Sequence, residues 1–121
     1  MNWCRNICLM LLLSVAAVAR VCAHAFVDHA EPAVGSKVKQ IPREVRLWFT
    51  EPVKPVLSSI KVFDSKGRQI DKKDAHRDAK NKALLRVSLP WLTPGTYRVV
   101  WRVVSTDTHV TDGDFTFRVI P

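Results

Sequence analysis

Short segments of alternating apolar and polar residues constrain the fold of this chain more than any other feature. Successive side chains of a strand point to opposite faces of a sheet, so a period of two is typical of half-buried strands. No long window shows the 3.6-residue period of an amphipathic helix. The alternation predicts strands in five segments, 45–50, 60–62, 85–89, 97–104 and 115–119.

Proline and glycine separate these segments, and the spacing of short strands with such punctuation favours an antiparallel sandwich or barrel. The segment 97–104 is apolar on both faces, which predicts a central strand. The segment 92–97 resembles a tyrosine corner, in which the Tyr97 hydroxyl bonds to nearby backbone at a Greek-key crossover. Asp112-Gly113 predicts a turn, and the charged segment 71–82 predicts an exposed loop that allows one helical turn.

The N-terminus has the three parts of a secretory signal peptide. Arg5 supplies the positive charge, an apolar run follows from Ile7 to Ala19, and the small residue Ala23 suits signal peptidase. A membrane anchor is the alternative, but the run is short for a spanning helix and Arg20 interrupts it. A lipoprotein signal is disfavoured by the residues before Cys22. We expect a signal peptide at 1–23, export to the periplasm, and one domain at 24–121.

Removal of the first 23 residues changes the chemistry of the chain. Every cysteine and methionine leaves with them, which excludes disulfides, thiolate zinc sites, cysteine catalysis and soft sites for Cu(I). The side-chain charge falls from +8 to +6, because Arg5 and Arg20 also leave. The remaining cations are scattered, without the aromatic interleaving of a single-strand binder. They predict a solvated surface with weak attraction to anionic headgroups, and no nucleic-acid partner.

Cleavage after Ala23 would give His24 a free α-amine beside its imidazole. The amine and Nδ1 can chelate one metal ion in a six-membered ring, and an α-amine loses its proton more readily than a lysine does. A copper site of the kind that needs histidine in the third place is excluded, because Phe26 stands there. His24 is therefore the first candidate ligand.

Asp107 and His109 follow the strand predicted at 97–104. Residues two apart in an extended segment project to the same face, so this pair can point at one site. Together with His24 it offers three nitrogens and one carboxylate oxygen, which suits tetragonal Cu(II). Asp-x-His alone is also common in metal-free surface loops. His29 and His76 are left out of the ligand set, because His76 lies in a charged segment and His29 is either near the site or solvated.

Several motifs together resemble the copper resistance protein C (CopC) family, which includes YobA-like and PcoC-like members. They are His24-Ala25, Glu31-Pro32-Ala33 with Gly35, the segments 47–53, 94–97 and 101–105, Asp107-Thr108-His109, and Gly113 with Phe115 and Phe117. The resemblance implies an all-β Greek-key β-sandwich or barrel, cupredoxin-like or immunoglobulin-like, with about seven strands. It also implies one Cu(II) per chain, held by His24, Asp107 and His109.

The resemblance further implies a role in binding, buffering or delivering copper, without catalysis. Some members carry a methionine-rich Cu(I) site, and the absence of methionine after His24 predicts a Cu(II)-only member. A CopD-type inner-membrane copper transporter is the implied partner, and we expect it to be a separate chain, since no spanning segment follows the domain. Two alternatives stay open: an oxidative copper enzyme built on an N-terminal histidine brace, and an interaction module with incidental histidines.

Overall fold

The computed structural model describes residues 25–121, and the predicted signal peptide and His24 lie outside that range. Strands make up most of its regular structure, which confirms the all-β prediction. Within residues 25–121, no helix is long and apolar enough to cross a bilayer. The strands are β1 (Val27–Glu31), β2 (Lys37–Val38), β3 (Glu44–Phe49), β4 (Ser59–Phe63), β5 (His76–Arg77), β6 (Leu84–Ser88), β7 (Gly95–Val104) and β8 (Val110–Val119), with a 3₁₀ turn at Pro55–Leu57.

The strands form two four-stranded sheets, with orders β1-β3-β6-β5 and β2-β8-β7-β4. All pairings are antiparallel except the short one between β2 and β8. Strand β7 lies between β8 and β4, so the prediction that it is central is confirmed. The ten-residue strand β7 runs from one end of the sandwich, at Gly95, to the other end, at Val104.

The inward faces of both sheets supply the core. Alternate residues of β3, β6 and β7 are buried, as period-two alternation predicts. Aromatic rings pack in the core. The rings of Phe49 and Trp101 contact edge-on, and those of Tyr97 and Phe117 are stacked, with centroids 5.5 Å apart in each pair. The Tyr97 hydroxyl donates to the Thr93 carbonyl at 2.6 Å, which confirms the predicted tyrosine corner.

The predicted turn at Asp112-Gly113 is wrong, because both residues lie within β8. Gly113 pairs with Trp101 across the β7–β8 ladder. A Cβ built on Gly113 would lie 2.7 Å from Trp101 Cζ2, so the indole occupies the space of the missing side chain. Residue 113 is therefore glycine because the Trp101 indole packs closely against its backbone. The chain reverses at residues 105–109 instead.

The segment 71–82 is also more ordered than predicted. It contains β5, which pairs with β6, and it has no helical turn. Asp71 is 7% exposed, and its carboxylate accepts backbone N–H groups from Val62 at 2.8 Å and Lys73 at 2.9 Å. These bonds tie the segment to the sandwich. With β1, β2 and β5, which lack a clear alternation, residues 25–121 contain eight strands, in line with the predicted number of about seven.

Candidate metal site

The candidate ligands Asp107 and His109 lie in the loop that joins β7 to β8. The two strands stay paired up to Val104 and Val110, so the chain must reverse within five residues. The Ser105 N–H donates to the His109 carbonyl at 3.0 Å, and the Thr108 N–H donates to the Ser105 carbonyl at 2.9 Å. Thr108 takes a left-handed conformation with φ of 70°. We call residues 105–109 the copper loop, because they include the predicted ligands Asp107 and His109.

Asp107 and His109 do come together, although not for the predicted reason. An extended segment was expected to place them on one face, whereas the structure places them in a tight loop. Asp107 Oδ2 lies 3.0 Å from His109 Nδ1. Their side chains are 48% and 45% exposed, so an ion in solution can reach them.

Ser105 holds the carboxylate from the other side. Its side chain is 1% exposed, and its hydroxyl donates to Asp107 Oδ1 and lies 3.3 Å from the His109 carbonyl. Sequence reasoning assigned no role to this serine. The spacing Ser-x-Asp-x-His was a usable signal, because a serine hydroxyl often bonds to groups two residues further on.

These contacts hold the Asp107 carboxyl ionised. The Ser105 hydroxyl, and then the His109 ring, donate to the carboxylate and lower the pKa of Asp107 from 3.8 to about 2. A carboxylate with a lowered pKa stabilises the folded loop above its ordinary pKa, and that contribution is lost as the pH falls through about 2. Protons therefore do not compete for this oxygen donor near neutral pH.

Replacement of Ser105 by alanine tests this account of the loop. We expect Ser105→Ala to raise the pKa of Asp107 from about 2 towards 3.8, because the largest cause of the lowering is removed. A pH titration of the Asp107 side-chain carboxyl by NMR measures this directly. Thr108→Ala is a matched control, because the Thr108 hydroxyl donates to the Asp107 backbone carbonyl and not to the carboxylate. An unchanged Asp107 pKa in Ser105→Ala would contradict the assignment.

A neighbouring segment supports the copper loop. Thr106 N–H donates to the Pro52 carbonyl at 3.2 Å, and Lys54 N–H donates to the Val104 carbonyl at 2.8 Å. Val53, which is fully buried, forms a β-bridge with Ser105. The loop thus rests on residues 52–54, so its geometry depends on the tertiary fold as well as on its own sequence.

The start of the described chain lies next to this loop. Ala25 is fully buried, and its carbonyl accepts the Thr111 hydroxyl at 2.5 Å. Thr111 comes two residues after His109, at the beginning of β8. His24 lies outside the described residues, but it is bonded to Ala25. The fold therefore brings the residue after His24 beside the strand that carries the copper loop.

The other two histidines occupy different places. His29, on β1, stacks on Trp48 with ring centroids 4.2 Å apart, and its Nδ1 lies 2.8 Å from Asp28 Oδ2. His76 is exposed, as predicted, and its Nδ1 lies 2.8 Å from the Asp74 carbonyl. Among residues 25–121, no three His, Cys, Asp or Glu side chains gather closely enough to hold a metal ion.

The sequence profile of the CopC domain matches residues 27–120, which is nearly all of the described chain. The chain belongs to the CopC family. It is 37% identical to protein YobA of Escherichia coli K12 over 112 residues, which cover 92% of this chain and 90% of YobA.

Two solved structures extend the similarity to the fold. CopC from Methylosinus trichosporium OB3b is 35% identical with a TM-score of 0.76, and the match covers 81% of this chain and 95% of that one. PcoC, a methionine-rich copper resistance protein from Escherichia coli, is 30% identical with a TM-score of 0.71, covering 81% of this chain and 100% of that one. Membership of the CopC family gives the chain a copper-related function and agrees with the two-sheet sandwich.

Proposed function

We propose that the chain binds one Cu(II) ion through His24, Asp107 and His109 after cleavage of the signal peptide at Ala23. The α-amine and imidazole of His24 would act as a chelate, with a nitrogen of His109 and an oxygen of Asp107 completing the set. Three nitrogens and one carboxylate oxygen favour Cu(II) over metals that need sulfur or six oxygens. The proposal goes beyond family membership, because it names the ligands and the oxidation state.

The hydrogen bond from Thr111 to Ala25 is the observation that carries this proposal. A ligand set drawn from both ends of the domain needs the N-terminus and the copper loop to meet. The bond fixes the backbone of Ala25 against β8 at the position two residues from His109. The bond joins residues 86 positions apart in the sequence, so only the fold can make this contact.

The contact between Asp107 and His109 bears on how the copper loop would hold the ion. His109 Nδ1 lies 3.0 Å from Asp107 Oδ2, and Nε2 lies on the opposite side of the ring, so a Cu(II) ion bound by both side chains would take the place of this hydrogen bond. Coordination of His109 alone through Nε2 would keep it, with Asp107 orienting the ring and making it more basic. The proposed ligand set takes both side chains, so copper binding would separate Asp107 Oδ2 from His109 Nδ1.

The biological role that fits this site is buffering or delivery of periplasmic copper, as part of copper resistance. Export follows from the predicted signal peptide, and a separate CopD-type inner-membrane transporter is the proposed recipient or source. No turnover is proposed, because PcoC, the relative above whose name states a copper role, is a copper resistance protein. Polysaccharide oxidation driven by ascorbate, and lost in His24→Ala, would favour the histidine-brace enzyme instead.

Titration of the exported protein with Cu(II) tests the ligand set, after intact mass has verified that the chain starts at His24. We expect one tight equivalent per chain, and a loss of affinity of more than about 100-fold in His109→Ala, since loss of mere supporting groups already costs about 10–100-fold. His76→Ala is the matched control, because His76 is an exposed histidine outside the copper loop. Equal losses in both variants, or no stoichiometric site, would contradict the proposal.

A further inference from the structure

The end of the sandwich opposite the copper loop combines an exposed tryptophan with many cations. We define this Trp91 end by the loop 89–94, which precedes β7, and by the loops 39–43 and 64–75, which line clefts beside it. Trp91 is 79% exposed, whereas its neighbours Leu89 and Leu92 are 5% and 3% exposed. The buried leucines hold the loop in place on both sides of the indole. Trp91 therefore projects from a fixed loop into solvent.

The charge of the Trp91 end is strongly positive. Its three loops carry six Lys or Arg residues against three Asp residues, a net charge of +3. Five of the cations are exposed and form no ion pair with any described residue: Lys39, Arg43, Lys66, Lys72 and Lys73.

The three aspartates at this end are already engaged. Asp71 is buried and bonded to backbone, Asp64 pairs with Arg68 at 2.8 Å, and Asp74 accepts the Ser88 N–H at 2.8 Å. Their carboxylates thus bond to groups of the protein itself, whereas the five unpaired cations face solvent. An approaching surface meets mainly positive charge at the Trp91 end.

The copper-loop end differs in charge. Its loops, 50–58, 78–83 and 105–109, carry equal numbers of Lys and of Asp or Glu residues, three of each. The two ends are separated by the ten residues of β7, roughly 30 Å at about 3.3 Å per residue. The Trp91 end is therefore the more positive of the two ends, and an anionic surface would turn it towards itself.

Trp91 lines two shallow clefts beside these cations. One, of about 350 Å³, includes Lys66, and the other, of about 290 Å³, includes Arg43 and Lys72. An indole is amphipathic and prefers the headgroup level of a bilayer, and lysine and arginine add attraction to anionic lipids. An acidic protein would match the charge, but the small apolar contact of a single indole fits the headgroup layer better than a stable protein interface.

We propose that the Trp91 end docks on an anionic lipid bilayer, with the indole among the headgroups and the exposed cations on the lipid phosphates. The copper loop then points away from the bilayer and stays open to solvent. Docking would concentrate the exported protein at a membrane surface. The proposal does not depend on the metal ligands, because Asp107 and His109 lie at the opposite end of the sandwich.

Sedimentation with lipid vesicles tests the docking. At low ionic strength we expect the exported protein to bind vesicles of equal phosphatidylglycerol and phosphatidylcholine, and to bind vesicles of phosphatidylcholine alone far more weakly. Trp91→Ser should lower the partition coefficient about tenfold, and Lys72→Gln about fivefold, as expected for one cation near an anionic surface. Both side chains are exposed, so Cu(II) binding by these variants should equal that of the parent protein.

Matched changes at the copper-loop end serve as controls. Leu57 is 56% exposed and Lys80 is exposed, so Leu57→Ser and Lys80→Gln remove the same kinds of groups from the other end. We expect both controls to partition within twofold of the parent protein. Absence of binding to the anionic vesicles, or equal losses at both ends, would overturn the proposal.

Quenching by brominated lipids tests the orientation separately. We expect bromine on the upper acyl chain to quench the fluorescence of the parent protein. Trp91→Phe should still sediment with the vesicles but lose this quenching, because Trp48 and Trp101 lie away from the Trp91 end. Quenching that persists in bound Trp91→Phe would overturn the proposed orientation. Binding to soluble polyglutamate tests the alternative partner. If Trp91→Ser weakens this binding as much as it weakens vesicle binding, an acidic protein partner is favoured and the proposal of a bilayer is overturned.

Discussion

A short Gly–Ser extension in front of His24 is expected to lower the Cu(II) affinity by more than about 100-fold. Loss of groups that only support a ligand already costs about 10–100-fold, and the extension removes a ligand itself. The α-amine becomes an amide, whose nitrogen has no basic lone pair, and the His24 chelate ring is lost. The extension must be long enough that His24 is neither the second nor the third residue of the extended chain. A histidine at either position can bind Cu(II) together with backbone amides.

Competition with a chelator of known affinity measures this loss. The matched control carries the same Gly–Ser segment after Pro121, which adds equal mass and flexibility but leaves the α-amine of His24 intact. Proteolytic removal of the N-terminal extension should restore tight binding. Equal affinity of the extended and processed proteins would rule out the proposed ligand set while leaving CopC family membership unaffected.

Gly113→Ala is expected to lower the free energy of unfolding by about 1–3 kcal/mol, the usual cost of overpacking a core. The new Cβ would lie 2.7 Å from Trp101 Cζ2 and 2.9 Å from Cε2. Trp101 is 8% exposed and also packs edge-on against Phe49, so the indole cannot move away freely. A change of this size lowers the melting temperature of a domain this small by roughly 5–20 °C.

Thermal and denaturant unfolding measure this effect. Thr116→Ala is the matched control, because Thr116 lies on the same strand but is exposed, and we expect a change within about 0.5 kcal/mol. In a Trp101→Leu background, Gly113→Ala should cost less, since the smaller side chain leaves room for the methyl group. Equal costs in both backgrounds would show that the close approach to Trp101 is not the cause.

The predictions at Tyr97 and Gly113 show when a local sequence pattern is sufficient to predict structure. Tyr97 follows Pro94-Gly95, and its corner was predictable because the hydroxyl reaches a carbonyl only four residues earlier. Gly113 follows an aspartate and looked like a turn, but its reason for being glycine is an indole twelve positions away in sequence. Turn signals in sequence do not distinguish a reversal from a close approach.

Strands β5 and β2, which the alternation did not predict, also depend on contacts between residues distant in sequence. Strand β5 has two residues and lies in a charged segment, so no periodicity can appear within it. It is a strand because it pairs with β6 and because the buried Asp71 ties the segment to Val62. Strand β2 is equally short and depends on its parallel pairing with β8.

The sequence by itself determined the five alternating strands, the all-β class, the tyrosine corner and the candidate ligands, because each depends on residues close together in the chain. Tertiary structure decided where the hairpin turns, why residue 113 is glycine, and that Ser105 and His109 both hold the Asp107 carboxylate. It also decided that Ala25 lies against Thr111, next to the copper loop. That contact joins the two ends of the domain, and no local pattern encodes it, because only the packing of β1 and β8 into one sandwich brings them together.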